Sequence, residues 1–142
     1  MTTFTEPVAP DGARIVGEEQ FRTDGTAVAL RATRCRGCAS VWFPHRAQCS
    51  DCASGDVDQF LTSAIGVSYA STIVRVGPKD FPAPYTLAYV DIDGARVLAH
   101  VASADAVPPG TRVRLVLARI GADKDGPLLS YAVVPATQGE LR

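Results

Sequence analysis

Four cysteines in two tight pairs are the residues of this chain best suited to chemistry. Cys35 and Cys38 form one C-x-x-C, Cys49 and Cys52 form a second, and the chain holds no other cysteine. Two hairpin tips of this kind can each present two thiolates to one tetrahedral ion, and an all-sulfur shell suits zinc. Ten residues separate the pairs, fewer than in the common zinc spacing but enough for a small ribbon. Four protein ligands leave no open coordination position, so the expected ion is structural and activates no water. Iron accepts the same four thiolates in a rubredoxin-like centre, and the sequence does not separate the two metals. Two disulfides would need an oxidising compartment, and residues 1–6 show no basic stretch leading into an apolar run. A redox C-x-x-C would need one reactive pair, not two matched ones.

Outside the cysteines, no nucleophile or phosphate motif stands out. The two histidines, His45 and His100, fall in no recognisable catalytic or metal pattern, and G-x-S-x-G, H-E-x-x-H and glycine-rich phosphate loops are missing from the sequence. His45 reads as a surface residue and His100 as a structural strand residue. Trp42 and Phe43 beside the ribbon read first as aromatics that cover the metal site and seal it to the rest of the fold. Arg31, Arg34, Arg36 and Arg46 cluster around the cysteines, either as a solvated ribbon surface or as a face for phosphates or an acidic partner. Residues 77–85 form a long loop with three prolines, Phe81, Tyr85 and Lys79. Such a stiffened loop loses little entropy on meeting a partner.

The elements that must position these residues are strands. The chain has 142 residues, 46% hydrophobic and 20% charged, with a formal net charge of −1. That is one ordinary domain or two small units sharing a core, and it is globular. The near-neutral charge disfavours a partner held mainly by phosphate electrostatics. No apolar run reaches membrane-spanning length, and no targeting segment stands out, so the expected compartment is the cytoplasm. Residues 11–26 are ambiguous: Ile15, Val16 and Phe21 could line a short helix that Gly12, Gly17 and Gly25 weaken. The alternation from Val28 to Thr33 predicts a strand entering the first cysteine pair, and residues 40–43 predict its return, stopped by Pro44. From Phe60 onward five strands are predicted. The first runs over residues 60–76 with a bulge at Gly66. The next two, 85–92 and 95–102, are joined by a hairpin at Asp93-Gly94. The last two are 113–117 and 128–134. Five strands with a long bent first member suit a closed OB-type barrel. The expected fold class is all-β with a small irregular or helical N-terminal segment. The organisation is a lead-in over 1–27 that folds onto the body or a partner, a zinc ribbon over 28–59, an OB-fold barrel over 60–136 and a tail over 137–142. A ribbon this small cannot bury its own core, so the metal must supply folding energy.

A zinc ribbon placed directly before such a barrel resembles the DUF35 family, acyl-CoA-associated OB-fold proteins with a rubredoxin-like zinc ribbon. The residues that carry the resemblance are Arg34-Cys35-Arg36-Gly37-Cys38, Phe43-Pro44 with Arg46, and Cys49-Ser50-Asp51-Cys52. The barrel segments 66–72, Pro84-Tyr85 with 87–91, and Gly110 before Val113 are also similar. Ala39 and Ala53 depart from the glycine usual after each knuckle, and His45 stands where a second proline is common. The resemblance implies a non-catalytic accessory subunit without turnover alone, working in a hetero-oligomer with a thiolase-like, acyltransferase or aldolase-type enzyme on a CoA thioester. It would complete the acyl-CoA channel and stabilise the complex, with zinc as structural cofactor on Cys35, Cys38, Cys49 and Cys52. The residues then expected to touch CoA, substrate or partner are Lys79, Phe81, Pro84, Tyr85, Trp42, Phe43 and Arg46. The competing expectation is a single-stranded nucleic-acid or RNA binder, since ribbons and OB barrels both serve that use, but it needs a basic groove that this barrel lacks.

Overall fold

The computed structural model describes residues 3–103 and 107–136. The expected tail at 137–142 and the first two residues of the lead-in lie outside them. In chain order the strands are β1 (Arg14–Ile15), β2 (Phe21–Asp24), β3 (Ala27–Cys35), β4 (Val41–Trp42), β5 (Val57–Leu61), β6 (Ile65–Val74), β7 (Tyr85–Ile92), β8 (Ala95–Val101), β9 (Arg112–Asp123) and β10 (Gly126–Pro135). The only helical element among the described residues is a 3-10 turn at Glu18–Gln20. No helix of the described residues is long and apolar enough to cross a membrane.

Strands β6, β7, β8, β10 and β9 pair in that order, and β9 pairs back onto β6, so the sheet closes into a five-stranded barrel. All its pairings are antiparallel except β8 with β10, which is parallel and short, Ala132 opposite His100 and Val133 opposite Val101. Closure removes the exposed edges that an open sheet would present. The interior is built from Ala88, Val90, Ile92, Val97, Val113, Leu115 and Val133, all at most 1% exposed. The Asp93-Gly94 turn joins β7 to β8 with φ of 50° and 92°, a left-handed pair that this dipeptide adopts readily.

The expected first barrel strand over 60–76 is two strands in two sheets. Val57–Leu61 pairs with β3, while Ile65–Val74 opens the barrel. Between them Thr62 turns the chain: its amide donates to the Leu30 carbonyl at 2.9 Å and its hydroxyl accepts the Leu30 amide at 3.0 Å. The register shift lies between Ser68 and Ala70, not at Gly66. Gly66 is needed for a different reason. A Cβ there would come within 2.8 Å of the Asp91 carbonyl oxygen and of Val90 Cγ1, so glycine permits close strand approach.

Residues 11–26 also differ from the short-helix option. Gly12, Gly17 and Gly25 all have positive φ, 81°, 70° and 60°, which a right-handed helix does not accommodate. The segment instead supplies two strands. β1 runs parallel to β10, and β2 pairs antiparallel with β3. Phe21 is fully buried and joins Val28 and Leu30 in the barrel core cluster. β3 is therefore buried at Val28, Ala29, Leu30, Ala32 and Thr33, with both faces covered.

Candidate metal centre and barrel cleft

Each cysteine pair sits on a tight knuckle. The first follows β3: the Ala39 amide donates to the Cys35 carbonyl at 3.0 Å, and the Gly37 amide points at Cys35 Sγ at 3.3 Å. The second repeats the geometry, with the Ala53 amide on the Cys49 carbonyl at 2.9 Å and the Asp51 amide 3.4 Å from Cys49 Sγ. Ala39 and Ala53 close the knuckles with φ of 66° and 64°, in the left-handed region that favours glycine. The four Sγ atoms lie within 4.8 Å of one another. Cys35 and Cys52 are 3.6 Å apart, as are Cys38 and Cys49. A tetrahedron with metal–sulfur bonds of about 2.3 Å has edges of about 3.8 Å, so the donor set fits one ion of that size. The same separations are far beyond a disulfide bond of about 2.05 Å, and all four cysteines are free. Cys35 and Cys49 are buried, while Cys38 and Cys52 face solvent. Hydrogen bonding to Ser40 lowers the Cys38 thiol from its ordinary value, while at Cys52 the lowering effect of the Ser54 amide is outweighed by the neighbouring Cys35 and Cys38 sulfurs, which push it up, as expected of thiols crowded into one donor set.

The residues around the centre are committed to the ribbon. His45 Nδ1 lies 2.8 Å from the buried Thr33 hydroxyl, with Gln59 on its other nitrogen at 3.3 Å. Arg36 bridges Asp56 and Asp58, and these carboxylates raise its guanidinium further above its ordinary range. Arg31 bonds the Glu19 carbonyl and the Gln59 side chain. Arg34 stacks 4.8 Å over Phe60. Of the expected basic cluster, three arginines thus have partners inside the chain, and Arg46 is exposed. Phe43 stands edge-on to Tyr131 at 5.6 Å, and Tyr131 stands edge-on to Phe21 at 5.7 Å. These three rings join the ribbon to the barrel. Trp42 is half-buried, its indole nitrogen shielded from water without a hydrogen-bond partner among the described residues.

The loop of residues 75–84 folds back over the barrel. The Ala122 amide holds the Asp80 carbonyl at 2.9 Å, and the approach is so close that a side chain at Gly121 would collide with it. Phe81 turns inward and packs on His100 at 5.8 Å and Tyr85 at 6.5 Å, with Tyr85 and His100 at 5.3 Å. Lys79 and Pro84 remain exposed. Beside this cluster, where β8 and β10 diverge, lies a cleft of about 280 Å³. Burial lowers the His100 pKa from its ordinary value, and the same cause pushes Tyr131 up to about 12. The outer face of β6, β7 and β8 continues from the cleft and exposes Tyr69, Tyr89 and Leu98 by 52%, 47% and 44%. Arg96 lies 3.5 Å over the Tyr69 ring while binding Asp91 with both its Nε and an NH2 group.

The structure therefore brings the four cysteines together and separates the remaining expected contacts into two groups. Trp42, Phe43 and Arg46 belong to the ribbon, while Lys79, Phe81, Pro84 and Tyr85 belong to the barrel mouth. Sequence reasoning missed the cleft. Its walls come from segments as distant as Val16 and Ser130, 114 positions apart, joined by the β1–β10 pairing, with β8 brought in by its short parallel pairing to β10. The available signal was the OB topology itself, which leaves one short parallel seam.

Two family models match the chain. The rubredoxin-like zinc ribbon domain of ChsH2 matches residues 24–58, and the C-terminal OB-fold domain of ChsH2 matches residues 63–118. A DUF35 domain-containing scaffold protein of Methanocaldococcus jannaschii is 32% identical over 108 residues, covering 72% of this chain and 77% of that protein. The benzoylsuccinyl-CoA thiolase subunit BbsA of Thauera aromatica is 28% identical over 115 residues, covering 76% and 77%. Among solved structures, a chain of an Ltp2-ChsH2(DUF35) aldolase aligns with a TM-score of 0.57 at 25% identity, over 77% of this chain and 86% of that one.

Proposed function

Because the chain belongs to the DUF35 family, we propose that it is the accessory subunit of a thiolase-superfamily enzyme acting on a CoA thioester. The observation that carries this reading is the company its relatives keep: one is named a scaffold protein, one a thiolase subunit, and one forms part of an aldolase. The chemistry of the chain agrees. Its cysteines converge on one metal site, His45 is held by Thr33 and Gln59, and His100 is packed between aromatic rings. In this reading the nucleophile and base sit on the larger partner.

The four thiolates would hold one Zn²⁺, whose role is to fix the two knuckles against each other and so complete the ribbon's fold. The exposed side chains Lys79, Pro84 and Arg46 are the proposed contacts to the partner or to CoA, and Phe81 and Tyr85 line the adjoining wall. Trp42 and Phe43 act from behind by holding the ribbon to the barrel. The nucleic-acid alternative draws no support from the charge, which is a formal −1 over the whole chain.

The test is affinity purification of the tagged chain from its host with mass spectrometry of what accompanies it. A stoichiometric thiolase-like or aldolase-like chain, and turnover only in the complex, is the expected result. Recovery of nucleic acid with its usual binding proteins would reject the reading. Elemental analysis of the same preparation should return one zinc per chain, and the colour of an iron tetrathiolate would reassign the metal. Phe81→Ala should weaken the complex or its turnover, and an unchanged complex with unchanged rates would remove that loop from the interface.

A further inference from the structure

One strand edge of the barrel lies open. β6 pairs with β7 over residues 67–74, but its other edge meets β9 only at residues 65–67, opposite residues 112–114. Ser68 takes one step more: its amide donates to the Thr111 carbonyl at 2.8 Å, and its carbonyl accepts the Gly110 amide at 2.8 Å. Over residues 69–74 that edge has no backbone partner among the described residues. A row of unpaired N–H and C=O groups is a template for a further strand, and proteins guard such edges with charge, proline, shortness or a cover. Guards stand on other edges of this molecule. β2 carries Arg22 and Asp24 and is bridged by Thr5, β4 is two residues long, and β5 carries Asp58. The stretch Tyr69-Ala70-Ser71-Thr72-Ile73-Val74 has neither charge nor proline. Its residue types favour strands, and Tyr69 and Ile73 are each 52% exposed.

We propose that this edge pairs with the same edge of a second copy of the chain, antiparallel about a two-fold axis at Thr72. An open backbone edge selects a strand, and a two-fold axis lets one edge serve both partners. The register follows from the ends. Ser68 is occupied by the loop before β9, and β6 stops at Val74. Centring on Thr72 sets Ala70 opposite Val74, Ser71 opposite Ile73 and Thr72 opposite its own copy. The faces match. Within the chain Ala70, Thr72 and Val74 stand opposite Tyr89, Leu87 and Tyr85 on one face of the hairpin, with Ser71 and Ile73 on the other. Threonine on threonine and apolar on apolar are favourable cross-strand pairs. The charges fit as well. Arg75, just past the strand, falls opposite the uncharged Tyr69 of the second copy. The two Arg75 residues are then six positions apart along the pairing, about 20 Å at about 3.4 Å per residue, beyond the reach of strong repulsion in salt. So short a pairing covers less than the roughly 1,000 Å² of a permanent interface, so the association is reversible. It goes beyond the accessory role and is read on the isolated chain. Its failure would leave that role standing, and loss of that role would leave the edge.

The test is sedimentation equilibrium of the zinc-loaded full chain across the micromolar to millimolar range. A monomer–dimer equilibrium with a Kd of roughly 10–100 μM is expected. Thr72 is exposed, so Thr72→Lys should fold, and it sets two ammonium groups opposite each other at the axis. The dimer should weaken about three- to tenfold. Thr72→Glu should weaken it likewise with two carboxylates, and mixing the two variants should restore association to at least the level of the unaltered chain. Ile73→Lys, one position off the axis, is the second weakening variant if Thr72→Lys does not fold. A chain that stays monomeric throughout, growth into particles larger than a dimer, a dimer that Thr72→Lys leaves intact, or variants that fail to associate when mixed would each overturn the proposal.

Discussion

Replacing Ala39 and Ala53 by glycine should stabilise this protein, although both changes remove atoms. Each alanine closes a cysteine knuckle in the left-handed region, at φ of 66° and 64°. An L-residue with a Cβ pays about 1–2 kcal/mol for that conformation. Glycine removes the clash but loses more backbone freedom on folding, at a cost of about 0.5–1 kcal/mol. Both alanines are exposed, so little burial is lost with the methyl groups. The net gain is about 0.5–1 kcal/mol per site, and about 1–2 kcal/mol for the double variant if the sites add. The knuckles exist in folded, metal-bound protein, so the gain should also appear as a two- to fivefold tighter metal affinity per site. Denaturant unfolding at fixed buffered zinc, with a chromophoric chelator competition, reads both quantities. Gly37 provides the control within the same knuckle. Its φ is not in the left-handed region, and an added Cβ would meet Cys35 Sγ at 3.6 Å and Ser54 Cβ at 3.8 Å, ordinary contacts. Gly37→Ala should therefore be neutral or stabilising by about 0.4–1 kcal/mol. If Ala39→Gly and Ala53→Gly destabilise the metal-loaded protein, the strain argument is refuted.

Further outcomes follow from the ribbon and the loop. Chelation of the metal should strip hydrogen-exchange protection from β3, β4 and β5 while the β7–β8 pairing keeps its protection; equal loss across the barrel would show that the two parts are one cooperative unit. Gly121→Ala should cost about 1–3 kcal/mol, because the added Cβ meets the Asp80 carbonyl and the Phe81 ring; thermal unfolding that leaves Tm unchanged would mean the loop is not held as described. Thr33→Val keeps the buried volume and leaves His45 Nδ1 without its 2.8 Å partner, which should cost about 0.5–1.5 kcal/mol in urea unfolding; no loss would demote that bond. For His100 the folded pKa is lowered by burial, so the unfolded chain binds more protons, and its contribution to stability is complete above the ordinary value of about 6.5 and falls as pH drops toward the lowered folded value. His100→Phe should flatten the stability profile in that window, and an identical slope in both proteins would assign the pH dependence elsewhere.

Much of the fold was legible because its signals are local. Two C-x-x-C pairs mark the knuckles, and Asp93-Gly94 marks the β7–β8 turn with the conformation that dipeptide favours. The apparent strand over 60–76 misled because alternation continues through Thr62, whose turn is set by its bonds to Leu30, a partner 32 positions away. Gly66 was likewise ambiguous: a glycine in a strand signals either a bulge or close backbone approach, and only the position of Asp91 decides between them. β1 was hidden because its partner β10 lies more than a hundred positions along the chain, whereas β2 and β3 form a local hairpin turning at Gly25-Thr26 whose glycine was read as a helix breaker.

The metal centre and the cleft were the two extremes of this legibility, yet one side chain ties them together. Tyr131 contacts Phe43 on the ribbon side and Phe21 from the N-terminal segment, and its hydroxyl reaches Leu98 across the seam. Phe43 follows directly on β4, which the first knuckle delivers against β3. Holding the cysteines in register thus fixes where Phe43 presses on Tyr131, and Tyr131 is itself a wall of the cleft. The ribbon's knuckles thus help set the shape of the barrel surface beside Tyr131, which is a physical reason for a ribbon too small to fold alone to be joined to this barrel.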